Sequence, residues 1–189
     1  MSWPPNDDLD AILDHAWQVL VRGVRDARSP AHTPTVATVG PDGTPQLRTV
    51  VLRGAARRAH QLRFHTDSRA KKVAALRVRP ACALHVYDRA RKLQLRLQGV
   101  ATLHGLNTST GDAAWTATRP QSRRCYQVVQ APGGPIDSPD APRFEADDEG
   151  RAHFVAVTVD LHSLEWLYLQ ARGKKKKHEV CSSKLRSIR

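Results

Sequence analysis

From Thr35 onward the apolar residues of this chain recur at every second position, and that period decides the fold class. Thr35-Val36-Ala37-Thr38-Val39 alternates, Gly40-Pro41-Asp42-Gly43 follows, and alternation resumes over about 46–53. A period of two puts successive side chains on opposite faces of a strand, and an Asp-Gly step between two such runs signals a hairpin. A third strand is expected at 62–66, so residues 34–66 read as an antiparallel meander rather than as alternating strand and helix.

The segment before the meander has a different period. Leu9, Ile12, Leu13, Ala16, Trp17, Leu20, Val21 and Val24 share one face of a 3.6-residue helix. Asn6, Asp7 or Asp8 is its expected cap, and Ser29-Pro30 its end. Beyond the meander, Ser68 opens a short helix through Arg77, closed by Pro80. Strands at 81–87 and 92–103 flank the charged loop Asp88-Arg89-Ala90-Arg91, and 107–117 is a further short helix capped by Thr108 or Ser109. Residues 130–151 are polar and rich in turn formers, as in a surface excursion. Strands at 154–159 and 164–169 close the chain. Six or seven sequential strands with three peripheral helices predict a mainly β (α+β) protein built on a small antiparallel barrel.

The length of 189 residues fits one domain, expected over 1–171, with 130–152 as its loop excursion and 172–189 as a basic C-terminal tail. Net charge is +12, and eight Lys or Arg against one acid lie between Arg172 and Arg189. The body is therefore only mildly basic. Such a charge calls for an anionic partner, and a nucleic acid is expected only through the tail. Aromatics at 5% leave few platforms for stacking bases. No apolar run is long enough to cross a bilayer, so no membrane partner is expected. The acidic, proline-bearing start lacks the features of a secretion signal. Cys82, Cys125 and Cys181 show no metal-ligand spacing, which points to a reducing, cytoplasmic setting and no metal.

Three clusters carry chemistry. In Arg48-Thr49-Val50-Val51-Leu52-Arg53, alternation places Arg48 on a face with Val50 and Leu52, where a half-buried guanidinium wants an anion or a carboxylate. In Phe64-His65-Thr66-Asp67-Ser68-Arg69-Ala70-Lys71-Lys72 a strand ends, a helix begins, and cations occupy the first turn. Cations there oppose the helix dipole unless an anion offsets them. In Lys92-Leu93-Gln94-Leu95-Arg96-Leu97-Gln98-Gly99 the leucines face a core, and the polar side chains face solvent or a lined cavity. Walker, G-x-G-x-x-G, H-E-x-x-H and nucleophile-elbow patterns are absent, so difficult chemistry falls to an organic cofactor and no residue is assigned a catalytic role.

In this order the clusters resemble the pyridoxamine 5′-phosphate oxidase-like, FMN-binding split-barrel family. A later Trp115, then Arg119-Pro120-Gln121-Ser122-Arg123, and a closing Leu164-Glu165-Trp166-Leu167 extend the resemblance over about 30–170. It implies an FMN-dependent oxidoreductase acting on a small molecule, a homodimer of split barrels, and two FMN sites at the subunit interface. Arg48 would contact the flavin phosphate or ribityl chain, and the backbone of Thr49, Val50 and Val51 would run along the ring. Thr66, Ser68, Arg69 and Lys71 would hold the phosphate, and Gln94 would reach the ring. Gln121, Ser122, Trp166 and Lys176 would complete the pocket, partly from the other subunit. Ala70 replaces a serine usual in the family, and Arg172 is followed by lysines where an arginine, a histidine and another arginine are usual. The substrate stays open, as do two alternatives: a split barrel that binds flavin or heme without turnover, and an acidic-partner or nucleic-acid binder acting through the tail.

Overall fold

Residues 8–134, 143–144, 149–169 and 175–181 are described by the structure, a computed structural model. Helix α1 (Leu9–Arg25) starts where Asp8 accepts the backbone N–H groups of Asp10 and Ala11, at 2.9 and 3.0 Å. Its apolar stripe is buried as the periodicity requires, through Ile12, Leu13, Ala16, Trp17 and Leu20. The chain then turns back through a short 3-10 turn, Pro30–His32, that packs on Gly23. A Cβ at Gly23 would lie 2.6 Å from the Ala31 carbonyl, so this approach needs a glycine.

Among the described residues eight antiparallel strands follow: β1 (Thr35–Val39), β2 (Pro45–Thr49), β3 (Leu52–Ala56), β4 (Gln61–Asp67), β5 (Ala81–Asp88), β6 (Leu93–His104), β7 (Phe154–Leu169) and β8 (Lys175–Cys181). Their order in the sheet is β2-β1-β5-β6-β7-β4-β3, with β8 on β7. Strands β2 and β3 stand at opposite ends of this order, yet only Val50 and Val51 separate them. The three Cα steps from Thr49 to Leu52 span at most about 11 Å, so the sheet must curl until its ends meet. The result is a split barrel whose seam is Val50-Val51.

The return strand expected over 46–53 is thus two strands. The helix expected from Ser68 begins later, as α2 (Lys71–Val78) with Ala70 at its cap position. The closing pair of strands is a single strand, β7. It stays continuous because His162 bulges out: Gln98 pairs with Ser163 and Gly99 with Leu161. The first half of β7 lies between β6 and β4, the second between β6 and β8. Part of the basic segment is therefore β8, paired along 163–169, while 170–174 and 182–189 lie outside the described residues. The remaining helices are α3 (Ser109–Thr116), capped by Thr108, α4 (Pro120–Arg123) and α5 (Glu149–His153). Of the expected excursion, 135–142 and 145–148 lie outside the described residues. No helix among the described residues is long and apolar enough to cross a membrane.

The core joins the α1 stripe to the barrel interior, where Leu93, Leu95 and Leu97 of β6 point inward as their alternation predicts. A second cluster outside it packs Ala114, Trp115, Tyr126, Phe154 and Ala156.

Candidate functional site

The seam fixes where Arg48 points. It sits on β2 opposite Val36, half-buried, and its guanidinium donates to Thr38 Oγ1 (2.7 Å), the Gln46 carbonyl (3.0 Å) and Gln46 Oε1 (3.0 Å). These partners are all neutral, and burial lowers the Arg48 pKa. At the end of β4, the buried Thr66 accepts from Lys72 Nζ at 2.9 Å. Burial, and then the charge of Arg48, depress the Lys72 ammonium, with Asp67 opposing. The two cations therefore feel one another, and among the described residues neither has a carboxylate at ion-pair distance. Helix α2 has no capping side chain and no acid in its first turn, where Lys71 and Lys72 stand. Two repelling cations, a hydroxyl and uncapped backbone N–H groups form a donor set that matches a phosphate dianion. The terminal phosphate of FMN fits these residues.

The other expected residues lie as follows. Thr49 is exposed at the end of β2, and Val50 is buried with its N–H on the Pro34 carbonyl (3.0 Å). Val51 is half-buried in the seam. Ser68 lies in the turn before α2, its N–H on the His153 carbonyl (2.7 Å). Arg69 is committed elsewhere: it donates to both Asp67 carboxylate oxygens and to the carbonyls of Val128 and Val129, tying the later loop to the β4 end. Lys71 is exposed. Gln94 lies on the outer barrel face in a depression of about 200 Å³ with Arg96, Glu165 and Leu167. Gln121 and Ser122 lie on α4, the first exposed and the second half-buried. Trp166 is in the barrel core at 2% exposure, which turns it away from any open pocket. The Lys176 backbone pairs with Tyr168, and its side chain lies outside what is described.

Sequence reasoning missed Lys72, because a helix begun at Ser68 makes Lys71 look like the inward cation. It also missed a cleft of about 330 Å³ on the other face of β4. Arg25, His32, Arg53, Arg63, His65 and Arg119 line it with Thr118, and among the described residues no Asp or Glu does. The alternation Arg63-x-His65 on β4 was its available signal. His65 is held neutral, with a pKa lowered to about 4 by burial and then by Arg63 and Arg53. Its ring stands edge-on to Phe154 at 4.8 Å.

The family model of the pyridoxamine 5′-phosphate oxidase FMN-binding domain matches residues 14–105, which include Arg48, Thr66 and Lys72. A pyridoxine/pyridoxamine 5′-phosphate oxidase of Arabidopsis thaliana is 31% identical over 133 residues. That match covers 65% of this chain and 66% of the plant protein's length. A pyridoxamine 5′-phosphate oxidase-related, FMN-binding protein of Nostoc punctiforme superposes with a TM-score of 0.67 at 23% identity, over 95% of this chain and 99% of its own. PhzG of Burkholderia lata, solved with tetrahydrophenazine-1-carboxylic acid, gives 0.69 at 16% identity, over 96% and 98%. At these identities the two structures share the fold.

Proposed function

Because the chain belongs to the pyridoxamine 5′-phosphate oxidase-like, FMN-binding split-barrel family, we propose that it is an FMN-dependent oxidoreductase acting on a small anionic molecule. One observation carries this reading: Arg48 and Lys72 converge, partly buried, with only neutral oxygens for partners. FMN bound there supplies hydride or electron exchange at its ring.

The chain's own groups bind and orient. Arg48 and Lys72 take the phosphate with the Thr66 hydroxyl, while Lys71 and Ser68 stand at its rim. The Thr49-Val50-Val51 backbone, where β2 ends at the seam, gives the ring an edge to lie along. Arg69 keeps the loop after α4 against this end of the barrel through its Val128 and Val129 contacts. Gln94 faces outward, and in a homodimer it, Gln121, Ser122 and Lys176 close the pocket across the subunit boundary. Leu47, an apolar side chain 68% exposed on the outer face of β2, is covered at that boundary. The arginine-lined cleft beside β4 takes the substrate's anionic group, since no carboxylate there competes for it.

Purified protein is expected to be yellow and to release FMN, identified by mass, on denaturation. Substrate-dependent bleaching without oxygen, and recovery of colour with oxygen, separates an enzyme from a flavin carrier. A colourless protein that takes up no added FMN would contradict the proposal.

A further inference from the structure

Arg63 and His65 lie two apart on β4, so both face the cleft from its inner wall. Arg63 lies opposite Gly54, and a Cβ on Gly54 would stand only 3.3 Å from Arg63 Nε. Arg63 Nε and His65 Nε2 are both sealed from bulk water, and among the described residues neither has a hydrogen-bond partner. A buried polar group left unpaired is costly, so two such nitrogens on one wall point to a missing partner.

The neighbouring hydroxyl decides what each nitrogen offers. Thr118 Oγ1 donates its proton to the Ala114 carbonyl at 2.7 Å, so toward His65 Nδ1, at 3.5 Å, it can only accept. That contact favours the ring's proton on Nδ1, which leaves Nε2 a bare lone pair. The polar and charged groups that line the cleft with the ring are Arg53 on β3, Arg63 on its own strand, Arg25 and His32 from the α1 region, and Arg119 with Thr118 after α3. All the charged groups among these are cations, which disfavours a second proton on His65. The strand thus carries one donor, Arg63 Nε–H, and, two residues on, one acceptor, His65 Nε2.

We propose that this wall selects an oxyanion that carries its own proton donor, with Arg63 Nε donating to one oxygen and His65 Nε2 accepting from a hydroxyl. Hydrogen phosphate, or an anion with an adjacent hydroxyl, satisfies both atoms. A fully ionised oxyanion of the same shape sets a lone pair against a lone pair. Both nitrogens are covered in this structure, so entry requires the side chains lining the cleft to move apart. This rests on the cleft being the substrate pocket, and it makes His65 a determinant of which anions enter.

The test is competitive calorimetry on the FMN-loaded protein at neutral pH and fixed ionic strength, with inorganic phosphate and sulfate as probes. Phosphate is expected to bind about tenfold more tightly or better. His65→Leu should remove that preference, and His65→Gln, whose amide oxygen still accepts, should keep part of it. Arg63→Lys should weaken both anions. Nitrogen-15 shifts of the wild-type ring are expected to show Nδ1 protonated and Nε2 bare, a readout that needs no variant to fold. Equal binding of the two anions, binding of neither, a preference that survives His65→Leu, or a proton on Nε2 would each overturn the inference. Flavin content is read separately, so a colourless protein whose phosphate preference is still lost in His65→Leu counts only against the flavin reading.

Discussion

Lys72 is the residue whose chemistry is least at ease in the unliganded chain. Burial and the Arg48 charge both press on its ammonium. Lys72→Met should therefore leave the apoprotein as stable or more stable, by up to about 1 kcal/mol after solvent screening. FMN affinity should nevertheless fall about tenfold or more. Urea unfolding of the apoprotein and flavin-fluorescence titration check the two halves. Arg48→Lys keeps the charge but cannot hold Thr38 and Gln46 together in one fork, so it should weaken FMN by a similar factor and cost stability as well. His65 gives a pH signature. Its proton is taken up near 6.5 in the unfolded chain and only near 4 in the native one. Between those values the unfolded state binds more protons, so the stability from the neutral ring is complete above 6.5 and is lost as pH falls toward 4. The loss is about 3 kcal/mol. Urea midpoints across that range should fall less steeply in His65→Phe than in wild type.

Among the elements, β7 depends on its bulge. At Gly99, the partner position, a Cβ would meet the Asp160 carbonyl oxygen at 2.5 Å and Val159 Cγ1 at 2.7 Å. Gly99→Ala should cost about 2 kcal/mol through overpacking, read as a lower midpoint with an unchanged denaturant slope. The same region shows what a sequence can and cannot display. The α1 stripe and the inward leucines of β6 were legible because burial repeats with the element's own period. The start of α2 was not. Ser68 is a good capping residue type, but Asp67 accepts the Arg69 N–H (2.8 Å) and holds the chain in a turn until Ala70. Val50-Val51 has strand composition, and the break there is imposed by ring closure between strands far apart in the chain. In β8 a lysine run carries no alternation, and it pairs because the second half of β7 otherwise has an open edge. Within the site, Arg48 and Thr66 could be read from one strand each. Lys72 and the β4 cleft needed the helix start and the third dimension.

For the molecule as a whole, the barrel seam brings Arg48 beside the β4–α2 junction, and the outer face of β2, β1, β5 and β6 stays open to a second copy. Sedimentation should report a dimer of the 21.0 kDa chain, and Leu47→Asp on that face should shift it toward monomer without unfolding it. The central claim is that Arg48 and Lys72 hold a phosphate. The most direct measurement compares FMN with riboflavin, which lacks only that phosphate, on apoprotein from wild type and from the double variant Arg48→Met, Lys72→Met. Wild type should prefer FMN by about a hundredfold or more, and the double variant should bind the two flavins with similar, weak affinity. Equal affinity of wild type for FMN and riboflavin, or an undiminished FMN preference in the double variant, would contradict it.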